Sequence, residues 1–223
     1  SHASYLINLA SPKPDVRTRS IGSLAKEVER CAALGIEHVV VHPGAHLGAG
    51  AEPGITAAAE ALVEVLQRTA GSPVSLLVEN TAGQGTYLGG PLEQLGAILR
   101  AVDVASFGGR TDRIGVCFDT CHAFVFGYDL RTAKGFSSTW KTLDIEVGLE
   151  RVMALHLNDT AEALGSRRDR HARIGAGRLG LLPFRKLVND RRLHGVPAVV
   201  ETPPDGADRA FRPQLELLRS LRR

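Results

Sequence analysis

The chain has too few cysteines for a disulfide framework. Cys31, Cys117 and Cys121 are all it carries in 223 residues, and the C-x3-C of the last two is not the usual spacing of a zinc-binding pair. They read as reduced core thiols of a cytoplasmic protein. A long hydrophobic run is missing too: nothing approaches the roughly 18 apolar residues that a membrane-spanning helix needs, which excludes a membrane partner of that kind. The opening residues do not follow the pattern of a signal peptide. No strand-like segment is followed by G-x-G-x-x-G, so a dinucleotide-binding fold has no specific support. An excess of one charge is also absent. Twenty-seven basic and 24 acidic side chains leave a formal +3, which permits a polyanionic partner without demanding one. Hydrophobic content of 43% and charged content of 23% exclude a disordered chain. No linker or shift of composition divides it, so residues 1–223 are expected to form a single domain.

What the chain does contain is a repeating plan. Five short apolar, β-branched runs, "HVVV" (38–41), "VSLLV" (74–78), "IGVCF" (114–118), "VMALHL" (152–157) and "PAVV" (197–200), predict strands. Stretches with helical spacing lie between and after them, at 21–35, 55–69, 91–104, 138–150, 181–193 and from 212 onward. Continuously apolar strands alternating with helices imply parallel pairing with helices outside, as in a TIM barrel or a doubly wound sheet.

The predicted strands end alike. His42 closes the first, Glu79 the second and Asp119 the third; His156 stands at the end of the fourth and Glu201 closes the fifth. In a TIM barrel the C-terminal strand ends converge on one mouth. A lone carboxylate there is most simply a helix cap or half of an ion pair. Three carboxylates gathered with two imidazoles would repel one another without a cation, and that donor mixture suits zinc, manganese or iron rather than calcium or magnesium. His122 lies just past Asp119, and Asp169 and His171 share one side of an extended loop by their i, i+2 spacing. Arg168, Arg170 and Arg173 would then face outward. His46 lies near the mouth and could support the site, whereas His38 starts a strand and His194 sits in a turn.

In its motifs the sequence resembles the endonuclease IV family of zinc-dependent apurinic/apyrimidinic endonucleases. The matching stretches are "HASYLINL", "HPGAH", "ENTAGQG", "CFDTCHAFVFGYDLRT", "HLND", "SRRDRH" and "ET", in family order over almost the whole chain. The resemblance implies an α/β, TIM-type (β/α)8 barrel of the xylose isomerase-like kind, with three zinc ions in its mouth and manganese as an alternative at some sites. It implies that His2, His42 and Glu79 hold one ion, and that Glu79 bridges to a second completed by Asp119, His156 and Glu201. His122, Asp169 and His171 would hold the third. Three divalent ions against four carboxylates leave about two positive charges, about one after a bridging hydroxide, which still attracts a phosphodiester. The implied activity is DNA repair on double-stranded DNA: a metal-activated hydroxide cuts 5′ to an abasic site and leaves a 3′-hydroxyl. Glu201 is the candidate for orienting or deprotonating the water, with Glu79 the other catalytic carboxylate.

The resemblance also assigns Tyr5 and Leu6 as residues that enter the base stack, where apolar wedges kink DNA. Their plainer reading is an apolar segment packed on the barrel. Arg167, Arg168, Arg170 and Arg173 are candidate phosphate contacts. One departure stands out: His2 has only Ser1 before it, and the first βα units of the family are not in this sequence. An incomplete barrel of about five strands is therefore expected, with open edges that favour self-association where the full-length family implies a monomer. Two other readings remain. A divalent-metal sugar isomerase or epimerase of related barrels would need only Glu79, Asp119, His156 and Glu201, and the third reading is an inactive fragment.

Overall fold

The computed structural model describes residues 1–106, 111–203 and 211–222. Its main sheet holds five parallel strands in sequential order: β1 (His38–Val41), β2 (Ser75–Glu79), β3 (Ile114–Asp119), β4 (Val152–His156) and, after a small hairpin, β7 (Ala198–Val199). The hairpin pairs β5 (Asp159–Thr160) with β6 (His171–Ala172) in antiparallel register. Helices α1 (Pro14–Leu34), α2 (Ala51–Arg68), α3 (Leu92–Ala105), α5 (Ala133–Glu146) and α6 (Leu182–Val188) precede or join the parallel strands, and α7 (Arg212–Ser220) follows the last. A short α4 (Thr120–Phe126) starts directly at the end of β3. The sheet curls as part of a TIM-type barrel, and among the described residues β1 and β7 do not pair with each other. No described helix is long and apolar enough to cross a membrane.

Strand periodicity explains both the core and the site. Val39, Val41, Leu76, Val78, Val116, Phe118 and Leu155 pack outward into the large core under the helices. The alternate positions Val40, Leu77, Cys117 and Ala154 form a separate small cluster on the inner face. Two residues further along each of these four strands, on the same face, come His42, Glu79, Asp119 and His156. The apolar layer thus floors the barrel and the polar layer stands on it. Pairing sets Asp119 level with His156, whereas Glu79 lies opposite Cys117, so the layers step by two residues between β2 and β3. At the β7 edge both strand residues are exposed, Val199 by 48%.

Several elements differ from expectation. Helix α1 begins at Pro14 rather than near residue 21; a proline in the first turn and Asp15 beside it favour a start there. Helix α5 starts at Ala133, where the Thr132 hydroxyl accepts from Gly135 N at 3.0 Å, and a 3-10 turn (Leu149–Arg151) follows it. The stretch 181–193 is not one helix: α6 stops at Val188, and the Asp190 side chain, accepting from Arg192 N at 3.0 Å, starts a separate 3-10 turn. His2, expected to lack a supporting strand, does have one neighbour to lean on. Ala3 N donates to Val40 O at 2.8 Å and Val40 N donates to Ser1 O at 2.9 Å, a single parallel bridge to β1.

Candidate metal centre

The side chain of Glu79 is completely buried at the end of β2. Its Oε2 lies 2.9 Å from His2 Nε2 and 3.0 Å from His42 Nε2, and its Oε1 lies 2.6 Å from His156 Nδ1. Burial would raise its pKa, but the hydrogen bonds from His156, His2 and His42 outweigh that and hold it well below the usual carboxylate range. A buried charge persists only with such partners.

Asp119, the last residue of β3, serves two elements at once. Its Oδ1 accepts from the backbone N–H of His122 at 2.7 Å and caps α4. Its Oδ2 accepts from Asn158 Nδ2 at 2.6 Å and lies 3.9 Å from both His156 Nδ1 and His171 Nε2. The cap and the candidate ligand are therefore different oxygens of one carboxylate. His122 projects from the first turn of α4, and its Nε2 is 3.2 Å from Asp169 Oδ2; the other Asp169 oxygen is 3.1 Å from His171 Nε2.

Among the described residues, donor atoms within 4.8 Å of one another form five overlapping groups, two of which draw on Cys117 (with Glu79 and His156) or Cys121 (with Asp119 and His171). Burial pushes both thiols up and disfavours the thiolate that would bind an ion, which leaves three sets of imidazoles and carboxylates: His2, His42 and Glu79; Glu79, Asp119, His156 and Glu201; and His122, Asp169 and His171. Donors about 2.1 Å from one tetrahedral zinc ion stand about 3.4 Å apart, and the closest imidazole–carboxylate contacts around these sets, Glu79's 2.6 Å to His156 apart, run from 2.9 to 3.2 Å. Imidazole orientation fits as well. His2 Nδ1 lies 2.7 Å from Ala3 O and His122 Nδ1 lies 2.8 Å from Asn80 O. A carbonyl only accepts, so those nitrogens carry the proton and leave Nε2 for an ion. Among the described residues, the Nε2 atoms of His122 and His171 are buried without an aligned hydrogen-bond partner, which an ion would satisfy. Burial opposes charge on His171, but Asp169, Cys121 and Asp119 outweigh it and push its pKa up to about 12. His122 is raised for the same reason by Asp119, Asp169 and Glu79, against burial.

The sequence reading missed the asparagines that brace this cluster. Asn80 receives Asp119 N at 2.7 Å and donates to Asp119 O at 3.0 Å. Asn158, fully buried, donates to Asp119 Oδ2 and, at 3.2 Å, to Glu201 Oε2, while its own oxygen accepts from Glu201 N at 2.8 Å. Their sequence signal is position, one residue past Glu79 and two past His156, inside the matching stretches "ENTAGQG" and "HLND".

Other candidates separate clearly. His46 accepts from Gly50 N at 3.1 Å through Nδ1, closes its own loop and joins none of the three donor sets. Tyr5 and Leu6 are 77% and 89% exposed, while Ile7 and Leu9 beyond them are buried. Ala3 before them is buried too, so Tyr5 and Leu6 project from a segment that packs on either side of them. The Tyr5 ring stands 5.7 Å from that of His2 and 5.8 Å from that of His42, and it lines a groove of about 90 Å³ with Tyr87, His122 and Asp169. Arg168 is exposed, at 4.0 Å from Glu162, and Arg170 is exposed with its guanidinium on Asp169 O at 2.8 Å. Arg173 is also exposed. Arg167, exposed as well, lies over the Phe126 ring at 4.1 Å and donates to Gly83 O at 3.2 Å.

Residues 1–221 match the family described as xylose isomerase-like TIM barrel. A probable endonuclease 4 from Chloroflexus aurantiacus is 47% identical over 221 residues, covering 99% of this chain and 75% of that protein. A second, from Chloroflexus aggregans, is 48% identical with the same coverage. Endonuclease IV from Thermus thermophilus superposes with a TM-score of 0.80 at 35% identity, over 99% of this chain and 74% of that one. A D-tagatose 3-epimerase-like protein reaches a TM-score of 0.75 at 21% identity, over 99% and 75% of the two chains, a likeness of fold alone.

Proposed function

Since the chain belongs to the xylose isomerase-like TIM barrel family and, within it, to the endonuclease IV proteins, we propose that it is a DNA-repair nuclease that cuts the phosphodiester 5′ to an abasic site and leaves a 3′-hydroxyl. The observation that carries this reading is the third donor set. His122, Asp169 and His171 come from α4, a loop and β6, and meet beside Glu79 and Asp119, with His122 Nδ1 3.6 Å from Glu79 Oε1. A sugar isomerase or epimerase needs only Glu79, Asp119, His156 and Glu201, and would leave that set idle.

The three sets suit three zinc ions, with manganese as an alternative at some of them. Divalent ions held there would supply Lewis acidity toward a phosphodiester and ease deprotonation of water near neutral pH. The chain's own residues do the rest. Glu201, with a side chain about one-third exposed and its backbone held by Asn158, orients or deprotonates the attacking water. Glu79 is shared by two sets and keeps them at a fixed separation. Tyr5 and Leu6 enter the duplex beside the metal pocket, and an abasic nucleotide, which pairs with nothing, is cheap to turn out of the stack. Arg168 and Arg170 hold phosphates. Incubation with a duplex containing one abasic-site analogue tests the reading: nicking 5′ to the analogue is expected, and an untouched duplex with metal-loaded protein overturns it.

A further inference from the structure

The first two donor sets rest largely on the parallel sheet, whereas His122, Asp169 and His171 lie beyond it and need another scaffold. That scaffold converges on Asp159, a fully buried side chain that belongs to none of the donor sets. Its Oδ1 accepts from Thr160 N at 2.8 Å and Leu179 N at 3.0 Å, and its Oδ2 accepts from Gly175 N and Gly177 N at 3.0 Å each. Both oxygens are thus occupied by backbone amides, with no ion pair at Asp159 among the described residues. The packing leaves no room for a change: a Cβ at Gly177 would collide with Asp159 Oδ1.

The same residue opens β5, pairing with Ala172, while Thr160 pairs with His171. Thr160 also donates through Oγ1 to Arg170 O at 2.7 Å and accepts from Arg178 N through its carbonyl at 2.7 Å. The chain therefore leaves Asp159, passes Asp169 and His171, and returns through residues 175–179 to the carboxylate where it began. We propose that Asp159 is a positioning residue for the third donor set: it ties the 159–179 segment into a closed loop and thereby fixes Asp169 and His171 against His122. The inference rests on the three-set reading of the metal centre.

Asp159→Asn is the direct probe. An amide Nδ2 would face amide donors where a carboxylate accepts, so two of the four hydrogen bonds are replaced by opposed donors. With parent and variant loaded from the same zinc buffer, the variant is expected to carry about one ion fewer per chain at unchanged secondary structure. Titration should refill that site at roughly 10–100-fold higher free zinc, the usual cost of losing an outer partner of a ligand. Amide exchange should quicken within 159–179 and not in β1–β4. Should Asp159→Asn fail to fold, Gly177→Ala disturbs the same contact from the other side and must give the same selective loss. Full metal content and unchanged zinc titration in the folded variant overturn the proposal, as does an equal loss from all sets. A parent protein without bound metal would instead overturn the three-set reading beneath it.

Discussion

His122→Ala separates the nuclease from its isomerase relatives most sharply. The ring is buried, with Nδ1 on Asn80 O at 2.8 Å and Nε2 3.2 Å from Asp169 Oδ2. Truncation removes one of three side-chain donors from its set, so bound metal should fall by about one ion per chain. The fold should survive, because Asp119 caps α4 through the backbone N–H of residue 122 and not through the ring. The local cost is the carbonyl of Asn80 left without its donor, about 1–3 kcal/mol. Loss of one electrostatic stabiliser of the transition state typically costs on the order of 10²–10³ in rate, about 2.7–4 kcal/mol. Single-turnover nicking of abasic duplex, measured alongside metal content, should show both losses, and His171→Ala should behave alike. Unchanged metal with full nicking in both variants would refute the assignment of the third set. Retained metal at Glu79, Asp119, His156 and Glu201 with full isomerase activity would favour the sugar-acting relatives.

Tyr5→Ala and Leu6→Ala remove exposed side chains, so the melting temperature should hardly move while affinity for abasic duplex falls; an equal effect on stability would mean that they pack in solution. Duplex binding should weaken linearly in log–log salt plots, and Arg168→Ala with Arg170→Ala should reduce the slope by about 0.9 for each phosphate no longer neutralised; an unchanged slope excludes both arginines as phosphate ligands. Metal uptake should weaken as pH falls, because a proton competes for each ligand nitrogen and the His171 pKa is pushed up to about 12, so that binding releases protons at neutral pH. Calorimetry in buffers of different ionisation enthalpy reads that release, and a buffer-independent heat would contradict it.

The strand positions and the strand-end donors were legible because parallel strands buried on both faces read as continuous apolar runs, each with a polar residue where burial ends. The short elements α4, β5 and β6 were not. α4 is too short to display a helical period, and β5 and β6 are two residues each. The third donor set depends on those elements: spacing pointed to His122, Asp169 and His171 as single candidates, and only the resemblance to a family joined them into one set. Asn80, Asn158 and Asp159 stand inside the matching stretches "ENTAGQG" and "HLND", yet their bracing roles were not legible for a further reason. Each acts through partners far away in sequence, and nothing local distinguishes an asparagine bonded to a carboxylate from one facing water. The unbroken helix expected at 181–193 erred the other way, since Asp190 offers its side chain to the backbone and competes with helix continuation.

The divided use of the Asp119 carboxylate makes α4 and the metal centre thermodynamic partners. One oxygen holds the first turn of the helix and the other faces the donors, so any ion that draws on the second also restrains the first. Linkage of this kind is symmetric: the free energy by which an ion steadies the turn equals that by which an intact turn strengthens the ion. The exchange rate of a single backbone hydrogen, that of His122, thereby becomes a gauge of occupancy several bonds away. A substitution along α4 at any position but His122 that frays its first turn should register as weaker metal binding without replacing one ligand.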